Sequence, residues 1–354
     1  MNEEAKLQSI DILSSPEFKS PGWGEKLREA FGYVRPFQCL QIEVTSACVG
    51  GCEYCPRHSR RSSWKSRHMS KETFASLWPL LRLAQRAHLQ GWGEPFAHPG
   101  FFELAAFAKK AGASVSTTSS GIIMDEEIGE KIALSGMDVV AFSLAGTDSH
   151  SNSIRSEISF DRVRESANIL KKKIRELGRG PEIHLAYILL ADRLEAARKL
   201  PETMEQFGAD MAVVSTLDFI SRPSDSKWAI LPHEFEKIEK AREILEEAAS
   251  AAEARDKFIY FALPEKDARH EFGCRENAAK TLYVDAEGNF SPCVYLNVPS
   301  ADPDRRRKIF GNAKSEEPLK MWNSEEWRAF RDRLRDANPD PVCADCPKRS
   351  EREG

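Results

Sequence analysis

The chain has 354 residues, of which 41% are hydrophobic, so it can form one large domain with an appendage. Its 51 basic and 55 acidic residues give a formal net charge of −4, which offers no global attraction for nucleic acid or an anionic membrane. The longest apolar run, residues 185–191, is too short to cross a bilayer, and no N-terminal stretch resembles a secretion signal. We therefore expect a cytoplasmic protein whose eight cysteines are metal ligands, catalytic groups or buried thiols.

The first 37 residues contain helical fragments and predict an N-terminal helical extension. From residue 38 to 262, apolar strand patterns alternate with amphipathic helix patterns. The predicted strands are 40–45, 87–91, 113–118, 138–143, 182–189 and 211–215, and the predicted helices are 71–84, 100–110, 125–134, 160–177, 194–207 and 232–255. Ser70, Asp125 and Asp192 are the predicted N-caps. Six units predict a parallel sheet, either a partial barrel or an open doubly wound sheet, with active residues at the carboxyl ends of its strands.

Residues 263–354 predict a smaller module with a hairpin of strands 281–284 and 290–294, an arginine-rich loop and two short helices. This region holds Cys274, Cys293, Cys343 and Cys346. Because a loop-rich segment of this size has little core of its own, a bound metal would supply stability.

Three further cysteines, Cys48, Cys52 and Cys55, lie within eight residues directly after the first predicted strand. Three thiolates would leave one iron of a [4Fe-4S] cluster open for chemistry. From the spacing alone, a zinc site or a disulfide remains an alternative.

The second predicted strand ends at Gly91-Trp92-Gly93-Glu94-Pro95, a turn that shares the sheet edge with these cysteines. Together the two motifs resemble the radical S-adenosylmethionine (SAM) superfamily. The resemblance implies a partial (β/α)6 barrel, a cluster held by the three cysteines, and SAM bound by the turn from Gly91 to Glu94. Trp92 replaces the first glycine of the family's usual pair. Tyr54 occupies the position that contacts adenine in the family.

Later segments continue the resemblance over residues 38–215. Ser120 lies where relatives have a Thr-Asn-Gly turn after the third strand, and Ser143 and Arg155 match positions near the ribose and the carboxylate of SAM. The implied reaction is reductive cleavage of SAM to methionine and a 5′-deoxyadenosyl radical, which abstracts hydrogen from a substrate. The resemblance identifies no catalytic acid or base.

The C-terminal cysteines resemble the auxiliary-cluster region of the SPASM/Twitch subgroup, in its shorter Twitch form. This resemblance implies one auxiliary [4Fe-4S] cluster ligated by all four thiolates. A structural zinc ribbon is the alternative that the spacing also permits.

Two other functional classes remain open: a non-catalytic iron-sulfur electron carrier and a zinc-binding scaffold. The basic stretch from Arg57 to His68 predicts either a docking site for a flavodoxin- or ferredoxin-like reductant or anionic substrate, or a solvated loop. We interpret the basic run 305–308 as an exposed loop rather than a nucleic-acid site. Tyr187 is interpreted as a core residue, and Asp218 and Arg222 as loop ion-pair residues. For the substrate, a small molecule is favoured over a peptide, and a peptide- or protein-modifying maturase is the alternative.

Overall fold

The structure is a computed structural model that describes residues 12–30, 34–264, 273–299, 301, 307–343, 346 and 348–350. Its strands are β1 (Phe37–Ile42), β2 (Ala84–His88), β3 (Ser114–Ser119), β4 (Val139–Leu144), β5 (Glu182–Leu189), β6 (Met211–Thr216), β7 (Phe258–Phe261), β8 (Gly273–Cys274), β9 (Thr281–Val284), β10 (Asn289–Ser291), β11 (Gly311–Asn312) and β12 (Arg349–Ser350). Its α-helices are α1 (Trp23–Ala30), α2 (Pro56–Ser59), α3 (Lys71–Ser76), α4 (Trp78–Leu81), α5 (Phe101–Lys110), α6 (Glu126–Leu134), α7 (Phe160–Leu177), α8 (Leu200–Phe207), α9 (Phe235–Glu253), α10 (Pro318–Trp322) and α11 (Glu325–Arg335).

One sheet dominates the described part of the chain, with the strand order β11-β10-β9-β1-β2-β3-β4-β5-β6-β7. Strands β1 to β7 run parallel to their neighbours, as expected for βαβ units. The six predicted strands are confirmed as β1 to β6, with ends displaced by up to three residues. The six-unit prediction did not include β7, a four-residue strand at the edge of the sheet.

The C-terminal hairpin extends this sheet instead of forming a separate one. Strand β9 pairs in parallel with β1, with Leu40 opposite Leu282, and β10 pairs antiparallel with β9. A second, two-stranded sheet pairs β8 with β12. The sequence predicted the hairpin, although β10 ends at Ser291 and a short 3₁₀ turn follows Cys293.

Alternation along the strands separates the core from the inside of the partial barrel. On β5, Ile183, Leu185, Tyr187 and Leu189 are buried, whereas the alternate residues between them are partly exposed. One of those intervening residues, Ile188, lines the cavity described below. The sheet thus places one face in the hydrophobic core and turns the other toward the cavity.

Helix boundaries follow local capping and proline chemistry. The N-caps Ser70 and Asp125 are confirmed, because their side chains accept hydrogen bonds from the backbone N–H groups of Thr73 and Ile128. The single helix predicted over residues 71–84 is instead two helices, α3 and α4, and Pro79 in the first turn of α4 has no N–H to continue α3.

The helix predicted over residues 194–207 is also divided. A 3₁₀ segment, Ala191–Lys199, precedes α8, and non-helical backbone at Arg193 interrupts it. The predicted N-cap Asp192 is wrong: its carboxylate accepts two hydrogen bonds, each 2.9 Å long, from Arg193. Among the described residues, no helix is both long and apolar enough to span a membrane.

Candidate functional site

A cavity of about 250 Å³ lies at the carboxyl ends of the barrel strands. Its lining includes all eleven residues that the sequence predicted for the first cluster and for SAM: Cys48, Cys52, Tyr54, Cys55, Gly91, Trp92, Gly93, Glu94, Ser120, Ser143 and Arg155. These residues come from the loops after β1 and β2, from the region of β3 and β4, and from the segment before α7. The fold therefore brings the predicted residues to a single place.

The three-cysteine loop is held against the segment that carries Arg155. Backbone N–H groups of Gly51 and Glu53 donate to the carbonyl oxygens of Ser156 and Ile154, at 3.2 and 3.1 Å. Cys55 is the N-cap of α2, and its N–H donates to the Cys52 carbonyl oxygen at 3.0 Å. These bonds fix where the thiols lie relative to the guanidinium.

Burial disfavours ionisation of the loop thiols in the chain alone. It raises the pKa of Cys55 to about 12 and also raises the pKa of Cys48. Since iron binds the thiolate, ligation at this loop must release protons.

The turn after β2 passes very close to the cysteine loop. A Cβ on Gly93 would lie 2.2 Å from the Thr45 carbonyl oxygen and 2.7 Å from that of Ala47. The N–H of Glu94 donates to the same Ala47 oxygen at 2.9 Å. A glycine is therefore required where the two loops meet.

The Glu94 carboxylate is 2% exposed and is held by the end of β3. One oxygen accepts from Ser119 Oγ at 2.7 Å, and the other accepts from the N–H of Ser120 at 2.7 Å and from its Oγ at 2.6 Å. The structure therefore places the Ser120 hydroxyl on Glu94. A further buried carboxylate, Glu43, accepts from the N–H of Trp92 at 2.7 Å and fixes the other side of the turn.

Arg155 presents a cationic donor to the cavity. It is 3% exposed, and Nη1 donates to the main-chain oxygen of Ser143, so the backbone of Ser143 rather than its hydroxyl makes this contact. Its Nε is buried and has no hydrogen-bond partner in the described part of the chain. A buried guanidinium with an unused N–H suits an anionic group, such as the carboxylate of SAM.

The second cysteine set lines a separate, smaller cavity of about 40 Å³. Cys274, Cys293, Cys343 and Cys346 all face it, together with Tyr295 and Lys348. Burial raises the pKa of Cys274 and Cys293, and raises that of Cys346 to about 11. All eight cysteines are among the described residues, and none forms a disulfide. Cys39, on β1, lines neither cavity.

Comparison with sequence families supports the interpretation of both sites. A family model described as the radical SAM superfamily matches residues 42–185, and a second, SPASM, described as an iron-sulfur cluster-binding domain, matches residues 274–347. The chain belongs to the radical SAM superfamily. The SPASM match covers the auxiliary cysteines and agrees with the predicted SPASM/Twitch subgroup.

Similar proteins align with most of this radical SAM enzyme. The tungsten-containing aldehyde ferredoxin oxidoreductase cofactor-modifying protein of Pyrococcus furiosus is 23% identical over 326 residues, which are 88% of this chain and 87% of that protein. The PqqA peptide cyclase of Granulibacter bethesdensis is 22% identical over 274 residues, 73% of this chain and 68% of that protein. The structure of Streptococcus suis SuiB bound to S-adenosylmethionine gives a TM-score of 0.64 at 16% identity, covering 86% of this chain and 70% of SuiB. This last likeness confirms the fold.

The donor sets fit the cofactors of a radical SAM enzyme. Three thiols share a cavity with a buried carboxylate and a guanidinium that has an unused N–H, which suits a cluster with one open iron beside SAM. Four thiols around the smaller cavity suit a cluster with complete protein ligation.

An aromatic wall of the SAM cavity, formed by Trp92, Phe219 and Tyr295, borders the smaller cavity at Tyr295. Trp92 packs against Phe219 with ring centroids 5.6 Å apart, and Phe219 stacks on Tyr295 at 6.4 Å. Tyr295 lines both cavities. The departure from glycine at position 92 thus places an indole in this wall.

Several site residues escaped the sequence interpretation. Ser119, which holds Glu94, and Glu43, which holds Trp92, were not predicted, although a lone acidic residue within the apolar predicted strand 40–45 was a usable signal for Glu43. Asp218 was interpreted as a loop ion-pair residue, and it pairs with Lys348 but also lines the SAM cavity.

The other two residues of that group are as predicted. Tyr187 is 1% exposed in the core, and Arg222 pairs with Asp225 at 2.9 Å. Of the basic run 305–308, only Arg307 and Lys308 lie within the described residues, and each is close to an acidic side chain.

Proposed function

We propose that this radical SAM enzyme cleaves SAM reductively at a [4Fe-4S] cluster held by Cys48, Cys52 and Cys55. The observation that supports the proposal is the single cavity lined by these cysteines, the Gly91–Glu94 turn and Arg155. With its cluster bound and reduced, the enzyme passes one electron to SAM, which yields methionine and a 5′-deoxyadenosyl radical that abstracts hydrogen from the substrate.

The chain's own residues bind and orient SAM. Glu94, fixed by three hydrogen bonds from Ser119 and Ser120, accepts from the amino group of the methionine part. Arg155 offers its unused Nε–H to the carboxylate. Tyr54 contacts the adenine, and the aromatic wall around Trp92 limits access of water to the radical.

Production of 5′-deoxyadenosine tests the proposal. Anaerobically reconstituted enzyme, carrying about eight irons for two four-iron clusters, is expected to form it from SAM and dithionite. Cys52→Ala should reduce the rate at least 100-fold because it removes an iron ligand, whereas Cys39→Ala, at the half-buried cysteine outside both cavities, should retain the rate. Enzyme that holds both clusters and forms no 5′-deoxyadenosine would contradict the proposal.

For the electron source, we propose an acidic flavodoxin- or ferredoxin-like protein. The basic stretch directly follows Cys55, and Arg61, Arg67 and His68 are exposed on it. Turnover with reduced flavodoxin should therefore slow as salt is raised, and turnover with dithionite should depend less on salt.

For the substrate, a small molecule remains our first proposal and a peptide is the second. The Pyrococcus furiosus relative is named for modifying a cofactor, which supports a small molecule, and the Granulibacter relative is named a peptide cyclase, which supports a peptide. A cytoplasmic location also stays a prediction.

Cell extract separates the two substrate classes. The substrate should raise 5′-deoxyadenosine formation above the rate seen with SAM alone. Stimulation that survives protease treatment of the extract indicates a small molecule, and stimulation that protease abolishes indicates a peptide or protein.

A further inference from the structure

The segment that follows β6 lies between the two cavities. Its residues Asp218 and Phe219 line the SAM cavity, and Asp218 also contacts Lys348, which lines the cavity of the auxiliary cysteines. The same segment reaches the first cysteine loop, because Arg222 Nη2 donates to the Glu53 carbonyl oxygen at 3.2 Å. The segment thus contacts both candidate cofactor sites.

A short chain of charges connects the cavities through this segment. Lys348 Nζ lies 2.8 Å from Asp218 Oδ2 and 3.3 Å from Glu276 Oε1, and it lies 5.8 Å from the centre of the Tyr295 ring. The Lys348 side chain is 13% exposed and that of Asp218 is 2% exposed. The pair is therefore shielded from solvent. Charges in the interior act over a longer range than charges at the surface.

Such a pair is a weak way to stabilise a fold, because desolvation of both ions offsets most of their attraction. Its position suggests a different role. An ammonium beside four thiolate ligands favours the more negative, reduced state of a cluster, since net charge near a cluster is one of the factors that set its potential. A carboxylate that holds the ammonium from the opposite side weakens that effect.

We propose that the charge of Lys348 raises the reduction potential of the auxiliary cluster, and that the carboxylate of Asp218 sets the strength of this effect from the SAM cavity. The inference rests on the auxiliary cluster of the proposed function and is independent of SAM cleavage. In the redox step, the cluster gains one electron from an external titrant, which loses one.

Through this contact, a ligand that binds Asp218 in the SAM cavity would change the charge that the auxiliary cluster experiences. Asp218 and the auxiliary cysteines are close enough for this coupling, because Lys348 contacts Asp218 and lines the cavity of those cysteines.

An EPR-monitored redox titration of the full-length chain tests the proposal. The titration uses protein with Cys48, Cys52 and Cys55 replaced by alanine, so that the auxiliary cluster gives the signal, and it is repeated on the unchanged enzyme. Lys348→Met should lower the potential by at least 59 mV, a tenfold change for a one-electron couple, and Lys348→Arg should restore most of it. Asp218→Asn should raise the potential, because it leaves the ammonium free to act on the cluster.

The combination of variants separates this role from a structural one. If Asp218 acts through Lys348, then Asp218→Asn should have less than a third of its effect when residue 348 is already methionine. Lys257→Met is the matched control: its side chain is also 13% exposed and lies 3.6 Å from Asp210, but it lines neither cavity. It should leave the potential unchanged.

Three results would overturn the proposal: an unchanged potential in Lys348→Met with four irons retained, an equal shift in Lys257→Met, or shifts of the same sign in Lys348→Met and Asp218→Asn. If Lys348→Met fails to bind a cluster, Asp218→Asn and Glu276→Gln decide, since both should raise the potential. Because the titration contains no SAM, a failure of SAM cleavage leaves its outcome unaffected.

Discussion

Gly93 shows how one missing side chain shapes the SAM site. In Gly93→Ala, the new methyl group would meet the backbone oxygens of Thr45 and Ala47 at 2.2 and 2.7 Å, and backbone cannot move aside as a flexible side chain can. The turn would shift away from the cysteine loop and take Glu94 with it. We expect SAM to bind at least tenfold more weakly, as measured by equilibrium dialysis with the reconstituted enzyme.

Gly24→Ala serves as the control for that substitution. Gly24 lies in α1, and a Cβ there meets no atom within 4 Å. Alanine favours a helix over glycine, so this variant should bind SAM normally and be equally or slightly more stable. Equal SAM affinity in Gly93→Ala and the unchanged enzyme would show that the turn does not position SAM.

At the residue scale, the sequence predicts some of the site residues, and only the structure shows the contacts between them. That Cys48, Cys52, Cys55, Glu94 and Arg155 share one cavity was predictable, because the family resemblance placed all of them around a single SAM site. The hydrogen bonds from Ser119 and Ser120 to Glu94 were not, because they join the ends of neighbouring strands and depend on how β2 and β3 are aligned. The ion pair between Asp218 and Lys348 joins residues 130 positions apart, which no local pattern can indicate.

At the scale of elements, Glu43 joins β1 to the turn after β2 and to the hairpin of β9 and β10. It is fully buried, accepts from the N–H of Trp92 at 2.7 Å and from the N–H of Ala286 at 3.4 Å, and lies near Tyr283 and Asp285. Burial, reinforced by the charge of Asp285, raises the pKa of Glu43 to about 8 from 4.5.

This raised pKa makes stability depend on pH. Between pH 4.5 and about 8 the folded chain keeps a proton on Glu43 that the unfolded chain releases, so the contribution of Glu43 to stability falls as pH rises through that window. The slope is at most about 1.4 kcal/mol per pH unit. Glu43→Gln should remove it, so the thermal midpoint of the variant, relative to the unchanged enzyme, should rise steadily from pH 5 to 8.

Glu72→Gln provides the comparison for this pH series. Glu72 lies in the first turn of α3, and hydrogen bonds from its own backbone and from Ser70 lower its pKa below 4.5, so its titration lies outside the window. It should leave the slope between pH 5 and 8 unchanged. A Glu43→Gln profile parallel to that of the unchanged enzyme would mean that Glu43 is already ionised across this range.

Element prediction succeeded where periodicity and capping agreed, as for α7, found over the predicted residues 160–177. It failed where local backbone chemistry interrupted a pattern, at Pro79 and at Arg193, and at β7, which is too short to show a period. The pairing of β9 with β1 could not be predicted either, because parallel pairing of strands about 240 residues apart leaves no local signal.

For the whole molecule, this pairing argues against an independent barrel. Leu282, Phe290 and Trp327 belong to the same hydrophobic core as Leu40, so the region after residue 263 completes the core of the region before it. A chain that ends at residue 262 would expose the edge of β1 and the apolar surface that these residues cover. We expect this shortened chain to aggregate and to lose cooperative unfolding, as measured by size-exclusion chromatography and calorimetry.

Loss of the auxiliary cluster is a separate effect from loss of the hairpin, and a full-length variant distinguishes them. Cys343→Ser with Cys346→Ser removes two thiols of the smaller cavity but keeps β9, β10 and the packing of Trp327. Because the shared sheet and core remain, this variant should stay monodisperse, unfold cooperatively and retain the four irons of the first cluster. If it behaves like the shortened chain, the cluster rather than the shared sheet holds the two regions together; if the shortened chain is itself stable and monodisperse, the barrel folds independently of the C-terminal module.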